Sequence, residues 1–271
     1  MTTEAPEYLY HYTNVETLAL ILENRTIRFN SLDKLDDLEE QETADVKNIG
    51  QFYYVSCWTD DDTESIPMWN MYSGLNSGVR LRMKSSPFKQ YGYVTMQDTK
   101  GNILSLKEYY MPSVQVQLAN NYIMAGDGWA GELLFPVEYT NEPEKLYPQI
   151  AHYKNDRLQS VGLNRLGKCK NTHWEFQKEW RYILCLLPKD PEHNLETFSE
   201  DSWKVYRRVI DGIEKQPFPY YDMPIDDTAF AAMEITLSPR ISTGNKLIAE
   251  TLVHTYNPSA VIRDSDLLGK L

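Results

Sequence analysis

One histidine and one glutamate stand out in this sequence as side chains that could do chemistry. His11 lies between Tyr10 and Tyr12, directly before a segment with helical spacing. Glu179 lies in the stretch 177–181, among aromatic and apolar neighbours. A histidine at the end of a strand can hydrogen-bond a ribose hydroxyl, and a tyrosine can stack on a planar ring. A carboxylate in apolar surroundings can stabilise the positive charge that develops as a glycosidic bond breaks.

Both features also have structural explanations, which the residues alone leave open. Thr13 begins a Thr-x-x-Glu pattern that is typical of a capping box, so His11 could belong to aromatic packing beside a capped helix. In a strand, Gln177 and Glu179 project from the same face. Because an unpaired buried carboxylate is costly, Glu179 needs a partner such as Arg181, and a structural Glu–Arg pair is the alternative.

Other chemistries have weaker support in the sequence. Cys57 has no base at a nearby position that would activate it as a nucleophile. Trp69 and Tyr72 are three positions apart, which is typical of core packing on a helix. The acidic runs 33–40 and 60–62 lack the glycine and ligand spacing of an EF-hand, so we expect solvated loops and no metal site. Neither GxxxxGK[ST] nor GxGxxG is present, which argues against P-loop and Rossmann nucleotide sites.

The hydrophobic patterns predict the elements that must position these residues. We expect one α+β domain over 1–271, with a mixed, mostly antiparallel central sheet and flanking helices. Helices are predicted over Asn14–Asn24 and 245–256, the second capped by Ser242 or Thr243. From 91 to 167 the signals are weaker, and we expect a largely helical insertion. Alternation and aromatic content predict strands at 8–12, 26–30, 51–59, 78–84, 132–140, 173–187, 231–241 and 259–268.

The composition narrows the setting in which this protein acts. Thirty-nine acidic and 27 basic residues give a net charge of −12, which disfavours non-specific nucleic-acid binding but does not exclude a local basic groove. Three separated cysteines without a CxxC pair favour a reducing cytoplasm over a disulfide scaffold. The sequence has neither a signal-peptide pattern nor an apolar run of ~18 residues. We therefore expect a cytoplasmic protein without membrane contact.

Four blocks of this sequence resemble the bacterial proteins grouped as domain of unknown function 2971. The blocks lie at 8–29 (YLYHYTNVETLALILENRTIRF), 53–83 (beginning YYVSCWT and containing MWNMY), 173–184 (HWEFQKEWRYIL) and 235–243 (ITLSPRIST). The resemblance covers most of the chain apart from 91–167. The family often has an acidic residue where this chain has Gln177, whereas Glu179, Trp180 and Arg181 match its pattern.

A second resemblance implies an enzymatic activity. The motif YHYT before a helix, followed by a late strand with Glu179, is similar to ADP-ribosyltransferases and most of all to the DarT-like toxins that modify nucleic acid. The triplet 177–179 (QKE) also resembles their Q/E-x-E element. This resemblance implies a split central sheet and NAD as the substrate. It implies no metal.

Carried onto this chain, the resemblance assigns roles to individual residues. It implies that His11 contacts the NAD ribose, that Arg28 is available to the pyrophosphate, that Glu179 is the catalytic carboxylate and that Gln177 faces the incoming nucleophile. The residues it implies for NAD binding are His11, Tyr12, Thr13, Arg28 and Tyr72.

The predicted function is therefore an NAD-dependent ADP-ribosyltransferase. It could be a toxin or phage-defence effector that modifies nucleic acid or protein and that has an antitoxin partner. The first alternative is a non-catalytic nucleotide-binding or regulatory module that uses the same pocket. A further alternative is a hydrolase in which Glu179 activates water.

Overall fold

The structure is a computed structural model that describes residues 4–92, 94–97, 103–106, 110–112, 114–189 and 198–271. Within these residues the chain is α+β, and its main sheet is mixed and mostly antiparallel, as predicted.

The strands and helices are spread along the whole described chain. The strands are β1 (Tyr8–Asn14), β2 (Thr26–Ser31), β3 (Tyr53–Thr59), β4 (Gly78–Lys84), β5 (Val94–Gln97), β6 (Ile103–Leu106), β7 (Tyr122–Ala125), β8 (Leu134–Pro136), β9 (Glu138–Thr140), β10 (Ala151–Lys154), β11 (Arg157–Val161), β12 (Cys169–Asn171), β13 (Glu179–Pro188), β14 (Tyr220–Pro224), β15 (Glu234–Leu237) and β16 (Val261–Arg263). The α-helices are α1 (Val15–Asn24), α2 (Ile66–Met68), α3 (Val114–Ala119), α4 (Pro143–Leu146), α5 (Phe198–Ile210), α6 (Asp227–Ala231) and α7 (Thr243–Tyr256). Shorter 3-10 or π turns cover Leu32–Lys34, Leu38–Gln41, Ile49–Phe52, Trp69–Ser73, Gly126–Ala130 and Thr172–Gln177.

The main sheet is organised around β3 and β13. The strand order along its principal path is β14-β2-β3-β1-β4-β15-β16. β13 pairs with β3 along one edge, and it pairs with β7 and β8 along the other. Every pair in this sheet is antiparallel except β15 with β16. From Tyr182 to Leu187, apolar clusters cover both faces of β13, so this part of the strand is apolar in both directions.

The sheet divides along one edge of β3. β13 follows the first edge of β3 over its whole length. On the second edge, β1 pairs only at Thr59 and β2 pairs only at Val55 and Tyr54. β1 and β2 therefore separate around residues 56–58, and the space between them is where a cavity can form.

Helix α1 begins one residue later than a Thr13 cap would place it. Thr13 is the sixth residue of β1, and the side chain of Asn14 accepts a hydrogen bond from the backbone nitrogen of Thr17 at 2.8 Å. The predicted capping role of Thr13 is therefore wrong, because β1 stays paired with β4 through Asn14 and keeps Thr13 extended. The prediction for α7 is confirmed: Ser242 is its N-cap and accepts from the backbone nitrogen of Asn245.

The stretch 91–167 is not largely helical in its described residues. It contains seven strands and only two α-helices, α3 and α4. Pairing with β13 keeps β7 and β8 extended, since an edge of a buried strand requires backbone partners. β10 and β11 form a hairpin whose two-residue turn, Asn155 and Asp156, has φ values of 49° and 57°. Asparagine and aspartate tolerate this left-handed conformation, and hairpin turns of this kind need it.

The segment 173–187, predicted as one long strand, consists of two elements. Residues up to Gln177 form a 3-10 turn, Lys178 adopts the left-handed conformation at φ 43°, and β13 begins at Glu179. Gln177 and Glu179 are therefore not two residues of the same strand. The backbone nitrogen of Lys178 donates to the carbonyl oxygen of Glu175, which closes the turn before the strand starts.

Candidate functional site

A cavity opens where β1 and β2 separate. Its volume is about 550 Å³, including its mouth. Its walls come from β1, β3, β12, β13, the turn Thr172–Gln177 and the segments 32–41 and 66–73. Five of the seven predicted site residues line this inner cavity: His11, Tyr12, Tyr72, Gln177 and Glu179.

A second depression, the outer groove, continues from the inner cavity over α1 and β2. Its volume is about 870 Å³ including open space. Thr13 and Arg28, the remaining two predicted site residues, line it. His11, Tyr12 and Tyr72 line both the inner cavity and the outer groove. All seven predicted residues therefore lie along one connected surface, although they come from four separate parts of the sequence.

Four buried charges form the floor of the inner cavity. Glu40, Lys170, Glu179 and Arg181 are each at most 6% exposed, and we call them the charge cluster. Arg181 donates from Nε and Nη2 to the two oxygens of Glu179, at 2.6 and 3.0 Å. Lys170 Nζ lies 3.0 Å from Glu40 Oε1 and 3.3 Å from Glu179 Oε2, and Arg181 also pairs with Glu40. Two carboxylates and two cations balance, as burial of ions requires.

The charge cluster fixes Glu179 in its ionised form. Burial by itself would raise the pKa of Glu179, but Arg181 and then Lys170 lower it to about 2. Burial opposes the charge on Arg181 as well, and the two carboxylates nevertheless raise the pKa of its guanidinium. The cavity floor therefore presents a permanent carboxylate at neutral pH. The predicted pairing of Glu179 with Arg181 is confirmed.

His11 is a neutral imidazole with one ring nitrogen engaged. Its Nδ1 lies 2.8 Å from the carbonyl oxygen of Cys57, in the part of β3 that neither β1 nor β2 pairs. Burial lowers the pKa of His11, and this hydrogen bond opposes the shift only in part. Because a carbonyl oxygen only accepts, Nδ1 carries the proton and Nε2 is left as an acceptor. Such a nitrogen can accept a hydrogen bond from a ligand hydroxyl.

Gln177 and Tyr72 are linked to the charge cluster by a chain of hydrogen bonds. Lys170 Nζ donates to Gln177 Oε1 at 2.8 Å, and Gln177 Nε2 donates to the hydroxyl of Tyr72. Burial, followed by the charge of Glu179, raises the pKa of Tyr72, so its hydroxyl keeps its proton at neutral pH. The two elements that carry Tyr72 and Gln177 are thereby tied together across the cavity.

Aromatic residues on one side of the inner cavity are held in place by contacts with neighbouring groups. Tyr12 is buried, its ring meets Trp69 edge to face, and its hydroxyl accepts from the backbone nitrogen of Ser65 at 3.0 Å. The guanidinium of Arg80 lies 5.4 Å from the centre of the Tyr12 ring. Trp58 lies 5.0 Å from the imidazole of His11, measured between ring centres. Of these rings, Tyr12 and Trp58 line the inner cavity, and we call them the aromatic wall. A flat heterocycle could stack on such planar, apolar surfaces.

Cys57 does not have the properties of a nucleophile, even though it lines the inner cavity. Burial, followed by the charge of Glu179, raises the pKa of its thiol well above the usual value. A thiolate is the reactive form, so this environment keeps Cys57 unreactive. The sequence argued against Cys57 because no base lies near it along the chain. In the structure a carboxylate does lie near the thiol, but its negative charge suppresses ionisation of the thiol.

Arg28 is already engaged where it lines the outer groove. It donates to both carboxylate oxygens of Asp222 at 2.8 and 3.0 Å, and its guanidinium lies 3.5 Å from the ring centre of Tyr220. The side chains of Arg28 and Asp222 are 39% and 35% exposed. The two bonds to Asp222 use two of the five N–H donors of the guanidinium, so Arg28 can donate to a ligand in the groove while it holds Asp222.

The sequence analysis missed two members of the charge cluster. Glu40 lies in the acidic run that was expected to be solvated, and that expectation is wrong for Glu40 because two cations hold it in the interior. Lys170 drew no attention, since a single lysine carries no local pattern. Neither residue has a local sequence signal, because only the fold brings Glu40 and Lys170 beside Glu179 and Arg181.

Among the residues with described placement, we find no group of three or more His, Cys, Asp or Glu side chains arranged to hold a metal ion. Across the same ranges, no helix combines the length and the apolar character that crossing a bilayer requires.

Comparisons with known proteins identify no relative of this chain. No family model, no curated protein and no solved structure matches this chain. The two resemblances noted from sequence blocks therefore remain predictions.

Proposed function

We propose that this protein is an NAD-dependent ADP-ribosyltransferase. The observation that carries the proposal is that the neutral imidazole of His11 and the ionised carboxylate of Glu179 line one cavity. These residues are 168 positions apart in the sequence, so their meeting was not dictated by local structure.

The chemistry suits a carboxylate that stays charged. Cleavage of the nicotinamide–ribose bond passes through a state with positive charge on the ribose, as glycoside hydrolysis does. Glu179 would accept a hydrogen bond from the ribose 2′-hydroxyl, and this contact strengthens as the charge develops. One such contact is worth ~3–4 kcal/mol, or a rate factor of several hundred. Arg181 and Lys170 would hold the carboxylate in place.

The remaining residues suit the parts of a dinucleotide. Nε2 of His11 would accept from a ribose hydroxyl, and the aromatic wall would stack on the nicotinamide. Arg28 would meet the pyrophosphate when it shares its donors with Asp222. The separation of β1 and β2 along β3 supports an assignment to the split-sheet ADP-ribosyltransferase fold.

The acceptor and the biological setting are part of the same proposal. A protein of net charge −12 would be attracted to a basic protein acceptor, whereas a nucleic-acid acceptor would need a local basic surface. A bacterial toxin or phage-defence effector in the cytoplasm, held in check by an antitoxin, would fit this activity.

The test is release of nicotinamide from NAD by the wild type and by three variants. Glu179→Gln should lower the rate about 10²- to 10³-fold, because the amide cannot stabilise the developing charge. Glu40→Gln removes the same charge from the same cluster and should cost less. Glu234→Gln, which breaks a pair with Arg82 outside both depressions, should leave the rate unchanged. Equal losses in the Glu179 and Glu40 variants would mean that the carboxylates are only structural.

A non-catalytic nucleotide-binding module is the second candidate, and one observation favours it. Four hydrogen-bond donors already surround Glu179: two from Arg181, one from Lys170 and the thiol of Cys57. A carboxylate so fully satisfied could serve only to hold the cavity floor. Under this candidate, calorimetry would detect NAD binding while a prolonged incubation of wild type with NAD would release no nicotinamide.

A further inference from the structure

Both ends of the Gln177 amide hold partners within the protein. Its Oε1 accepts from Lys170 Nζ at 2.8 Å, and its Nε2 donates to the hydroxyl of Tyr72. An ammonium group only donates, so the atom facing Lys170 must be the amide oxygen, and the amide nitrogen must face Tyr72. The orientation of the amide is therefore determined by chemistry.

This arrangement assigns a direction to the proton of Tyr72. A phenol hydroxyl has one proton to donate and can also accept. Since it accepts from Gln177, its own proton points to another partner. Among the side chains and backbone groups that the structure describes, none accepts it. Burial, followed by the charge of Glu179, raises the pKa of Tyr72, so the proton is present at neutral pH.

Tyr72 stands at the junction of the two depressions. It is one of the three residues that line both the inner cavity and the outer groove, together with His11 and Tyr12. A dinucleotide that places its nicotinamide ribose over Glu179 and its other nucleoside in the groove must cross this junction with its middle part. The middle of a dinucleotide is the pyrophosphate, whose oxygens accept hydrogen bonds strongly because they are charged.

We infer that the hydroxyl of Tyr72 donates a hydrogen bond to the pyrophosphate of the bound dinucleotide, and that Gln177 is the positioning residue that aims it. The inference rests on the proposed function and gives Gln177 a role different from the one that the family resemblance implies. Lys170 determines the orientation of the Gln177 amide, and the amide in turn orients the hydroxyl of Tyr72 toward the ligand. The charge cluster thereby influences binding at a point beyond Glu179 itself.

Two substitutions remove the donated proton in different ways. Tyr72→Phe deletes the hydroxyl and changes nothing else on the ring. Gln177→Glu places a carboxylate oxygen opposite Tyr72, which accepts the phenol proton and turns it away from the ligand. Because both act on one hydrogen bond, the double variant should bind no more weakly than Tyr72→Phe alone.

The experiment measures dissociation constants by calorimetry for NAD and ADP-ribose, and by NMR titration for nicotinamide riboside, which lacks phosphate. Both variants should bind NAD and ADP-ribose about 10- to 100-fold more weakly than wild type. Their affinity for the riboside should equal that of wild type. Tyr182→Phe removes a buried hydroxyl that donates to the carbonyl of Ser85, away from both depressions, and it should change no affinity.

The outcomes separate this inference from the proposed function. Unchanged NAD affinity in Tyr72→Phe, or an equal loss for the riboside, would overturn the pyrophosphate contact while leaving the transferase proposal intact. An additive loss in the double variant would overturn the positioning role of Gln177. If wild type at millimolar NAD shows no binding, both proposals are overturned together.

Discussion

Two arginine–carboxylate pairs in this protein have nearly the same geometry and very different surroundings. Arg181 donates from Nε and Nη2 to the two oxygens of Glu179 at 2.6 and 3.0 Å. Arg28 donates from the same two nitrogens to Asp222 at 2.8 and 3.0 Å. The first pair lies on the floor of the inner cavity, with its side chains 0% and 5% exposed. The second lines the outer groove, 39% and 35% exposed.

Solvent, and not contact geometry, separates the roles of the two pairs. Water can replace either partner of an exposed pair at little cost, so Arg28 is free to exchange Asp222 for a ligand. A buried ion has no such replacement, and losing its partner leaves an uncompensated charge. The buried charges of the cavity floor therefore keep one arrangement, whereas the exposed charges of the groove can change partners when a ligand binds.

The largest effect should come from breaking the buried pair. Arg181→Met keeps most of the side-chain volume but leaves Glu40 and Glu179 with only Lys170 between them. We expect the free energy of unfolding to fall by about 3–5 kcal/mol. Urea unfolding followed by circular dichroism measures it. Arg28→Met is the matched control and should cost under about 1 kcal/mol. Similar losses in both variants would contradict the difference drawn between floor and groove.

The buried pair should also make stability depend on acid pH. The pKa of Glu179 is about 2 in the folded protein and near its ordinary 4.5 when unfolded. A lowered folded pKa stabilises the protein fully above about pH 4.5, and that stabilisation is lost as pH falls toward 2.

Urea unfolding of wild type and Glu179→Gln at pH 7, 4 and 3 would measure this dependence. The stability advantage of wild type over the variant should shrink as the pH falls. An advantage that stays constant from pH 7 to pH 3 would show that Glu179 does not titrate as its surroundings require.

Much of the secondary structure around the two pairs could be predicted from the sequence. Alternation places β1 and β4, aromatic and β-branched content places β3, and the serine cap places α7, because these signals are local. The meeting of His11 with Glu179 could be predicted only through a family resemblance, since no local pattern links their positions. The pairing of Glu179 with Arg181 followed from the cost of a buried carboxylate.

The rest could not be predicted because it depends on contacts between distant parts of the chain. Glu40 looks like its neighbours in an acidic run, and only the arrival of Lys170 and Arg181 makes its burial favourable. The apolar residues that follow Gln177 predict a strand through it, but Lys178 adopts the left-handed conformation and leaves Gln177 outside β13. The hairpin turn at Asn155 was a local signal that could have been recognised.

The smallest effect on stability, and the sharpest test of the groove, should come from Asp222→Asn. The variant removes one charge from an exposed pair, so unfolding free energy should change by about 1 kcal/mol or less. Arg28 then has no carboxylate to share, and its donors become available to a phosphate oxygen in the outer groove. Calorimetry with NAD should therefore show affinity equal to or tighter than that of wild type. The salt dependence of NAD affinity should stay as in wild type, and it should weaken only in Arg28→Met, which lacks the Arg28 charge. Weaker NAD binding in Asp222→Asn would mean that Asp222 itself contacts the ligand, and that the groove is as fixed as the floor.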